Sequence, residues 1–415
     1  MICYRAAWVL PISAPPVRDG WVVVDRDRIV ARGAGGSPER LAPPAGDGGQ
    51  EFLVRDLGDV VLMPGLVNAH THLELSYLRD AIAPASNFVG WIRQTMAERR
   101  RHADARDPAI VQGIQDGITE AVRSGTALVG DISNTLVTFE FLSASALAAI
   151  VFHELIGFRV TDPVAFVDQA AERIAALVPT DRVRASLAAH APYSVAPLVF
   201  RAIRHAVDRN PLSPYSVHLA ESKEEVEFIA RADGPWRALL EEMDVWEPSW
   251  IAPGGSPAQF LDDSGFLGPG ALVVHGVQMS AADLARLVRR GATLVTCPRS
   301  NEYTGAGVPP LEQFYAAGVR VAVGTDSLAS APDLSVFSEL AAMRALAPSI
   351  AAATLLDSAT RQGANALGFE EDYGAIEPGK RARLLSVAIP AGLATGGDVE
   401  EYLVSGIRPD QVAWI

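Results

Sequence analysis

Alternation between short apolar segments and helical segments constrains the fold of this chain more than any other feature. Eight apolar segments recur between residues 60 and 326, and each ends at or next to a polar residue. They are residues 60–72, 126–131, 149–154, 183–190, 215–219, 272–275, 293–297 and 319–326. Helical patterns lie between them, for example at 110–123, 164–177, 281–290 and 334–346. Eight such units predict an α/β fold, a (β/α)₈ TIM barrel whose active site lies where the strands end.

The first segment ends on the motif His70-x-His72. On a strand, residues i and i+2 face the same way about 6.5–7 Å apart, so both imidazoles can converge on one ion at about 2 Å from each ring nitrogen. Two histidines on a solvated strand face are the alternative explanation. Against it, His218, His275 and Asp326 lie at the ends of three later strands. One divalent ion, zinc or else Fe(II), is therefore predicted, with a ligand set of His70, His72, His218 and Asp326.

Glu221 is the candidate acid of this site. It lies three residues after His218, just beyond the end of the fifth strand. A carboxyl group at that place faces a substrate above the metal, and we predict that it is catalytic. The alternative is a structural role, because glutamate also stabilises the first turn of a helix. For each histidine, likewise, the alternative is a hydrogen-bonded core residue.

Charge and composition exclude several other classes of protein. The 415 residues carry a formal net charge of −14, which argues against nucleic acid and anionic membrane surfaces as partners. No apolar run approaches the about 20 residues that cross a bilayer, and residues 1–11 read as a first strand, not as a signal peptide. Cys3 and Cys297 provide no disulfide framework, which fits a cytoplasmic protein.

The sequence pattern of residues 1–57 and 369–415 differs from that of the central segment. Short apolar runs alternate there with glycine and proline, as in β-hairpins. We predict that the two termini form one small β-sandwich domain beside a hydrolase barrel at 58–368. Two segments, 87–101 and 233–267, interrupt the barrel pattern. Segments of this length are usually functional or form a lid.

Several motifs together resemble the amidohydrolase superfamily, and more narrowly its branch of cytosine, guanine and S-adenosylhomocysteine deaminases. These motifs are Pro64-Gly65-Leu66-x-Asn68-x-His70-x-His72, His218-x-x-Glu221, His275 and Gly324-Thr325-Asp326-Ser327. The resemblance runs through nearly the whole chain and implies a metal-bearing barrel with a split β-sandwich. Binuclear members carry a carboxylated lysine at the end of strand four. This chain has His190 there, which implies one metal ion and a contact between His190 and the substrate.

The resemblance also implies a hydrolytic deamination. Water activated by the metal attacks the ring carbon that bears the amino group, and ammonia leaves. Asp326 accepts a proton from the water, His275 orients it and stabilises the developing oxyanion, and Glu221 protonates the neighbouring ring nitrogen. Some chlorohydrolases of the same branch lack this glutamate. The alternatives are triazine dechlorination, hydrolysis of a cyclic amide or imide, and a non-catalytic scaffold.

The segments around His72 and Ser300 also resemble 6-aminodeoxyfutalosine deaminases, whose substrate is an adenosine-like nucleoside that carries a benzoate. This likeness implies a small-molecule substrate. Glu74 is the expected contact of a ribose hydroxyl, and Trp91 and Phe88 are the expected stacking partners of the purine. For the carboxylate the candidates are Arg159, His153 and Arg299. Salt-bridged structural roles for Glu74 and Arg159 and a packing role for Trp91 are the alternatives. Ser300 completes the predicted substrate-binding residues. Relatives of this branch are often dimers or larger, which implies a homo-oligomer.

Overall fold

The computed structural model describes residues 1–35, 53–209 and 213–415. Its strands, in chain order, are β1 Ile2–Val9, β2 Val17–Asp25, β3 Arg28–Ala34, β4 Leu53–Asp56, β5 Val60–Pro64, β6 Leu66–Thr71, β7 Thr126–Ser133, β8 Ala148–Leu155, β9 Val183–Ala189, β10 Tyr215–Leu219, β11 Ala271–His275, β12 Thr293–Thr296, β13 Arg320–Val323, β14 Leu384–Ala388 and β15 Val412–Trp414. Its α-helices are α1 Phe88–Arg99, α2 Pro108–Arg123, α3 Thr138–Ala144, α4 Pro163–Ala175, α5 Pro197–Asp208, α6 Lys223–Arg231, α7 Pro235–Glu242, α8 Pro257–Asp263, α9 Ala281–Arg290, α10 Pro298–Tyr303, α11 Leu311–Ala316, α12 Val336–Leu346, α13 Ala352–Asp357, α14 Gly363–Ala366 and α15 Gly396–Leu403.

Strands β6 to β13 form one sheet of eight strands, in which each strand lies beside its neighbour in sequence. The barrel closes between β6 and β13, where Thr71 is bridged to Asp326 and the amide of Thr325 donates to the carbonyl of His70 at 3.1 Å. Residues on both faces of these strands are buried, as a parallel sheet covered by helices requires. The predicted (β/α)₈ barrel is confirmed.

Several helices of the barrel begin at residues whose side chains cap the helix N-terminus. Asp107, Asp162 and Ser222 accept hydrogen bonds from backbone amides in the first turn of α2, α4 and α6. At α9, Ser280 and Asp283 form a reciprocal capping box. Proline follows the cap in α2 and α4, where its missing N–H costs no helical hydrogen bond. Local capping chemistry therefore favours the start of α2, α4, α6 and α9 at these residues.

The remaining strands form a separate seven-stranded sheet from both ends of the chain, in the order β15-β14-β5-β1-β2-β3, with β4 also beside β1. The predicted composite of both termini is present, as one hydrogen-bonded sheet. The prediction that residues 60–63 continue into the strand of His70 is wrong. β5 pairs with β1 and β14 in the terminal sheet, whereas β6 pairs with β7 in the barrel. Both segments are apolar because each is buried in its own sheet, so hydrophobicity does not mark the boundary.

Gly65 joins the two sheets at a place that has no room for a side chain. A Cβ atom there would lie 2.5 Å from Cβ of Ala127 and 2.9 Å from the ring of Trp414. We expect Gly65→Ala to lower the free energy of unfolding by about 1–3 kcal/mol, because overpacking displaces both neighbours. Denaturant unfolding measures the change. Gly397→Ala is the control, since its Cβ would meet no atom closer than 3.8 Å, in Thr395. Equal losses in both variants would contradict the steric explanation.

Two excursions from the barrel pattern lie beside the strand ends. α1 follows β6, and α7 and α8 lie between β10 and β11. In the second excursion, Trp236 stacks on Tyr193 with ring centroids 3.6 Å apart, and Trp250 stacks on Phe228 at 4.8 Å. Aromatic packing thus anchors the insertion to the barrel. Among the residues described, no helix is both long enough and apolar enough to span a membrane.

Candidate active site

Five polar side chains from the ends of four barrel strands meet at one point. His70 is in β6 and His72 follows it, His218 is in β10, His275 ends β11, and Asp326 follows β13. The Nε2 atoms of His70 and His72 lie 3.2 Å apart, and Oδ1 of Asp326 lies 3.8 and 3.4 Å from them. A ring nitrogen of His218 lies within 4.8 Å of both histidines. Its Nδ1 is 3.0 Å from Nε2 of His275.

These donor atoms fit a divalent metal ion. Two ligands of a tetrahedral zinc ion lie about 3.3 Å apart when each bond is about 2.0–2.1 Å long, close to the separations observed here. Burial lowers the pKa of His70 well below its usual value, and the imidazoles of His72 and His218 lower it further. The ring is therefore neutral, and neutral imidazole is the form that binds metals. His70 and His72 thus leave lone pairs for an ion between them.

The backbone at this cluster adopts rare conformations. His275 and Asp326 have φ angles of 77° and 58°, and Ala220, close to His218, has 51°. Non-glycine residues in this left-handed region cost about 1–3 kcal/mol each and concentrate at functional sites. The strand ends around the cluster are therefore held in place by the packing of the surrounding barrel.

Two serine hydroxyls orient Asp326. Ser300 and Ser330 donate to its Oδ2 at 2.5 and 3.0 Å, which leaves Oδ1 directed at the histidines. Ser300 is completely buried. It therefore lies behind the carboxylate rather than on a cavity wall, and its contact with the site runs through Asp326. The predicted contact of Ser300 with substrate stays a prediction.

Glu221 lies beside the cluster on a turn that another carboxylate stabilises. The backbone amides of Ala220 and Glu221 donate to the carboxylate of Glu225 at 2.8 and 2.9 Å. Oε1 of Glu221 lies 3.5 Å from Nε2 of His275. Burial raises the pKa of the Glu221 carboxyl well above its usual value, and the carboxylates of Asp326 and Glu225 raise it further. This environment favours the protonated form, which suits a proton donor.

His275 is held between Glu221 and Asn301. Nδ2 of Asn301 donates to Nδ1 of His275 at 2.9 Å. Burial lowers the pKa of His275 to about 3, so the ring is neutral at neutral pH. Because Nδ1 accepts a hydrogen bond, the ring proton lies on Nε2. That N–H faces His218 and Glu221, where it can donate to an oxygen atom of water or substrate.

His190 and Glu154 lie on the other side of His218. His190 follows β9, and its Nδ1 is 2.6 Å from Oγ of Ser194. Burial lowers the pKa of His190 to about 4, so this ring is also neutral. Oε1 of Glu154 lies 3.4 Å from Nε2 of His218. Glu154 received no predicted role from the sequence, although a charged residue at the end of the third predicted strand was a visible signal.

A cavity of about 700 Å³ opens beside the cluster. Helices α1 and α4, the end of β8 and the insertion that contains α7 form most of its wall. Its charged residues include Arg159 and Arg173. Its apolar residues include Phe158, Phe166, Trp236, Leu239, Leu240, Met243 and Val245.

A smaller pocket of about 80 Å³ reaches His72, His218, Glu221 and Asp326. The two spaces share His190 and Glu154 in their walls, so they are adjacent parts of one site.

The other predicted substrate-binding residues are divided among three spaces. Trp91 lines the small pocket, and Arg159 lines the large cavity. Glu74 lines a separate pocket of about 250 Å³. Its Oε2 accepts hydrogen bonds from the hydroxyls of Ser133 and Thr135 at 2.6 and 3.1 Å. The structure therefore does not bring Glu74 to the wall of the cluster pocket.

The chain is similar to known proteins along most of its length. Residues 61–408 match the amidohydrolase family. The chain is 28% identical over 430 residues to the 5-methylthioadenosine/S-adenosylhomocysteine deaminase of Moorella thermoacetica, with 99% of this chain and 91% of the relative covered. It is 30% identical over 367 residues to the aminodeoxyfutalosine deaminase of Deinococcus radiodurans, with 84% and 81% covered.

The likeness to solved structures extends over the whole chain. The aminofutalosine deaminase of Helicobacter pylori, in complex with methylthio-coformycin, superimposes with a TM-score of 0.86 at 26% identity and covers 100% of both chains. An adenosine deaminase from Xanthomonas campestris with bound zinc has a TM-score of 0.81 at 28% identity, with 99% of this chain and 90% of that chain covered. Both likenesses include the barrel and the terminal sheet.

Proposed function

The chain belongs to the amidohydrolase family, and we propose that it is a metal-dependent hydrolytic deaminase of an adenosine-like nucleoside. It is a hydrolase that acts on C–N bonds other than peptide bonds. The position of Glu221 carries the proposal, because its buried carboxyl group lies beside His275 and next to a cluster of metal-binding side chains. Hydrolytic deamination needs a proton donor at this place, within reach of the ring that the nucleophile attacks.

We assign one zinc ion to the cluster, with His70, His72, His218 and Asp326 as its ligands. Three imidazoles and one carboxylate are donors that zinc accepts, and Fe(II) is the alternative ion. The ion supplies Lewis acidity, which makes a water molecule acidic enough to be a nucleophile at neutral pH.

In the first step two residues transfer protons and a third stabilises the developing charge. Asp326 accepts a proton from the water as its oxygen bonds to the ring carbon that bears the amino group. Glu221 gives its proton to the neighbouring ring nitrogen, so the attacked carbon becomes electrophilic. The Nε2–H group of His275 donates to the attacking oxygen and stabilises the charge that develops on it.

The second step releases ammonia from the tetrahedral intermediate. Asp326 passes its proton to the amino group, and the C–N bond breaks. Glu221 regains a proton from the new hydroxyl group, which leaves a ring carbonyl beside a protonated ring nitrogen. One substrate molecule and one water thus account for every atom of the product and the ammonia.

For the substrate we propose 6-aminodeoxyfutalosine, an adenosine-like nucleoside that carries a benzoate. The large cavity exceeds what a purine alone requires, and its wall combines apolar side chains with arginines. Arg159 and Arg173 are exposed on this wall and are the proposed partners of the carboxylate. Trp91, in the small pocket, is the proposed stacking partner of the purine. His190, which lines both spaces, is the proposed contact with the part of the substrate between the purine and the carboxylate.

Ammonia release from a panel of amines tests the function and the substrate. The zinc-loaded protein is assayed with 6-aminodeoxyfutalosine, S-adenosylhomocysteine, adenosine and guanine. We expect the highest kcat/KM for 6-aminodeoxyfutalosine, because among these it alone joins a purine nucleoside to an aromatic carboxylate. A higher kcat/KM for S-adenosylhomocysteine would support the deaminase proposal but would contradict 6-aminodeoxyfutalosine as the preferred substrate. Turnover of a chlorotriazine or a cyclic imide, with no ammonia from any purine, would contradict the deaminase proposal.

We also propose that the enzyme is cytoplasmic and self-associates. Cys3 and Cys297 are buried free thiols, which suits a reducing compartment such as the cytoplasm. Self-association stays a prediction, and light scattering from the purified protein tests it.

A further inference from the structure

Glu154 is a buried acid that the proposed mechanism leaves without a role. It is only 6% exposed and lines both the small pocket and the large cavity. Nδ2 of Asn134 donates to its Oε2 at 2.8 Å, and Arg99 donates to Oδ1 of the same asparagine at 2.9 Å. Oε1 of Glu154 is buried without a hydrogen-bond partner among the residues described. Asn134 therefore holds one carboxylate oxygen, whereas the other has only the ring Nε2 of His218 close to it, at 3.4 Å, and keeps room for a further donor.

The chemistry of that oxygen restricts what it can bind. A buried carboxylate oxygen without a partner is costly, so a ligand that supplies donors is favoured at this position. A carboxylate accepts hydrogen bonds and donates none, which requires O–H or N–H groups on the ligand. A second carboxylate is excluded by charge repulsion. The anionic end of the proposed substrate therefore lies elsewhere, toward Arg159 and Arg173.

The position of Glu154 along the site indicates which groups of the substrate supply these donors. Glu221 and Asp326 line the small pocket, where the amino-bearing carbon of the purine reacts. In a purine nucleoside the sugar is attached to the other ring, away from that carbon. It must therefore extend from the small pocket toward the large cavity. Glu154 lies where the two spaces meet.

We propose that Oε1 of Glu154 accepts hydrogen bonds from the 2′- and 3′-hydroxyl groups of the substrate ribose and so selects ribonucleosides. The inference rests on the proposed nucleoside deamination and deepens it by naming a specificity residue. It also moves the ribose contact away from Glu74, which lines a separate pocket and neither the small pocket nor the large cavity.

Adenosine and 2′,3′-dideoxyadenosine test the inference with the wild-type protein, Glu154→Gln and Glu74→Gln. In the wild type we expect kcat/KM to be about 100-fold higher for adenosine, because the dideoxy compound lacks the donors to a charged acceptor. In Glu154→Gln this preference is expected to shrink by about tenfold or more. Glu74→Gln, a matched loss of charge at a neighbouring buried acid, should keep the preference.

Metal analysis separates this role from simple support of His218. If Glu154 only orients His218, Glu154→Gln loses zinc and both nucleosides suffer equally, which overturns the inference. The inference is also overturned if the wild type shows nearly equal kcat/KM for adenosine and 2′,3′-dideoxyadenosine. The same holds if Glu74→Gln loses the preference and Glu154→Gln keeps it. Calorimetric binding of inosine and 2′,3′-dideoxyinosine makes the same comparison without turnover. Failure of the deaminase proposal is thereby distinguished from failure of the ribose contact.

Discussion

Glu221→Gln is expected to keep its zinc and to lose about 10²–10⁴-fold in kcat for deamination. Glutamine has the shape of glutamic acid but cannot transfer a proton at neutral pH. Negative charge would then build up on the purine ring as water attacks, with no proton to compensate it. The turn itself should persist, because Glu225 holds the backbone amide of residue 221. Ammonia release at saturating substrate measures the rate, and elemental analysis measures the zinc.

Glu224→Gln is the matched control for this experiment. Glu224 lies in the first turn of α6 and lines a different pocket, so the same substitution there should leave both kcat and zinc content unchanged. A Glu221→Gln protein that works at nearly the wild-type rate would contradict the role of proton donor. Loss of zinc from it would show instead that the side chain supports the metal cluster.

The convergence of the site was predictable because parallel strands end at the same edge. His70, His218 and Asp326 are far apart in sequence, yet each lies at the end of a barrel strand, and barrel geometry alone predicts that such residues meet. The structure brings them together as expected. The boundary at Gly65 was not predictable from pattern. The residues that exclude a side chain there, Ala127 and Trp414, are distant in sequence, and the apolar character is the same on both sides.

The sequence pattern also does not predict the direction of the side chains at the strand ends. The left-handed backbone of His275 and Asp326 re-aims both side chains. Histidine and aspartate adopt this region more often than most other non-glycine residues, but it is uncommon even for them, so residue type does not predict it at these two positions. Ser300 shows the same limit, because its hydroxyl bonds Asp326 from behind. Glu74 and Glu154 are both buried acids, but only the structure reveals that Glu154 lines the small pocket beside the cluster, whereas Glu74 lines a separate pocket.

Asp326→Asn is expected to lower both metal retention and rate, because one side chain has two roles. A neutral amide oxygen is a weaker zinc ligand than a carboxylate, and it cannot accept a proton from water. We expect the affinity for zinc to fall by about 100-fold. We expect kcat at saturating zinc to fall by about 10²–10⁴-fold. Titration with a chelator gives the first quantity, and ammonia release gives the second.

Asp283→Asn controls for the general cost of neutralising a buried aspartate. Asp283 is 4% exposed and caps α9 away from the cluster, so its variant should lose stability but keep its zinc and its kcat per folded molecule. Excess zinc then separates the two roles of Asp326. A rate that stays low at full occupancy, as we expect, identifies proton transfer, whereas a rate restored by zinc identifies ligation alone. Normal zinc content together with normal kcat would remove Asp326 from the site and, with it, the ligand set that the mechanism requires.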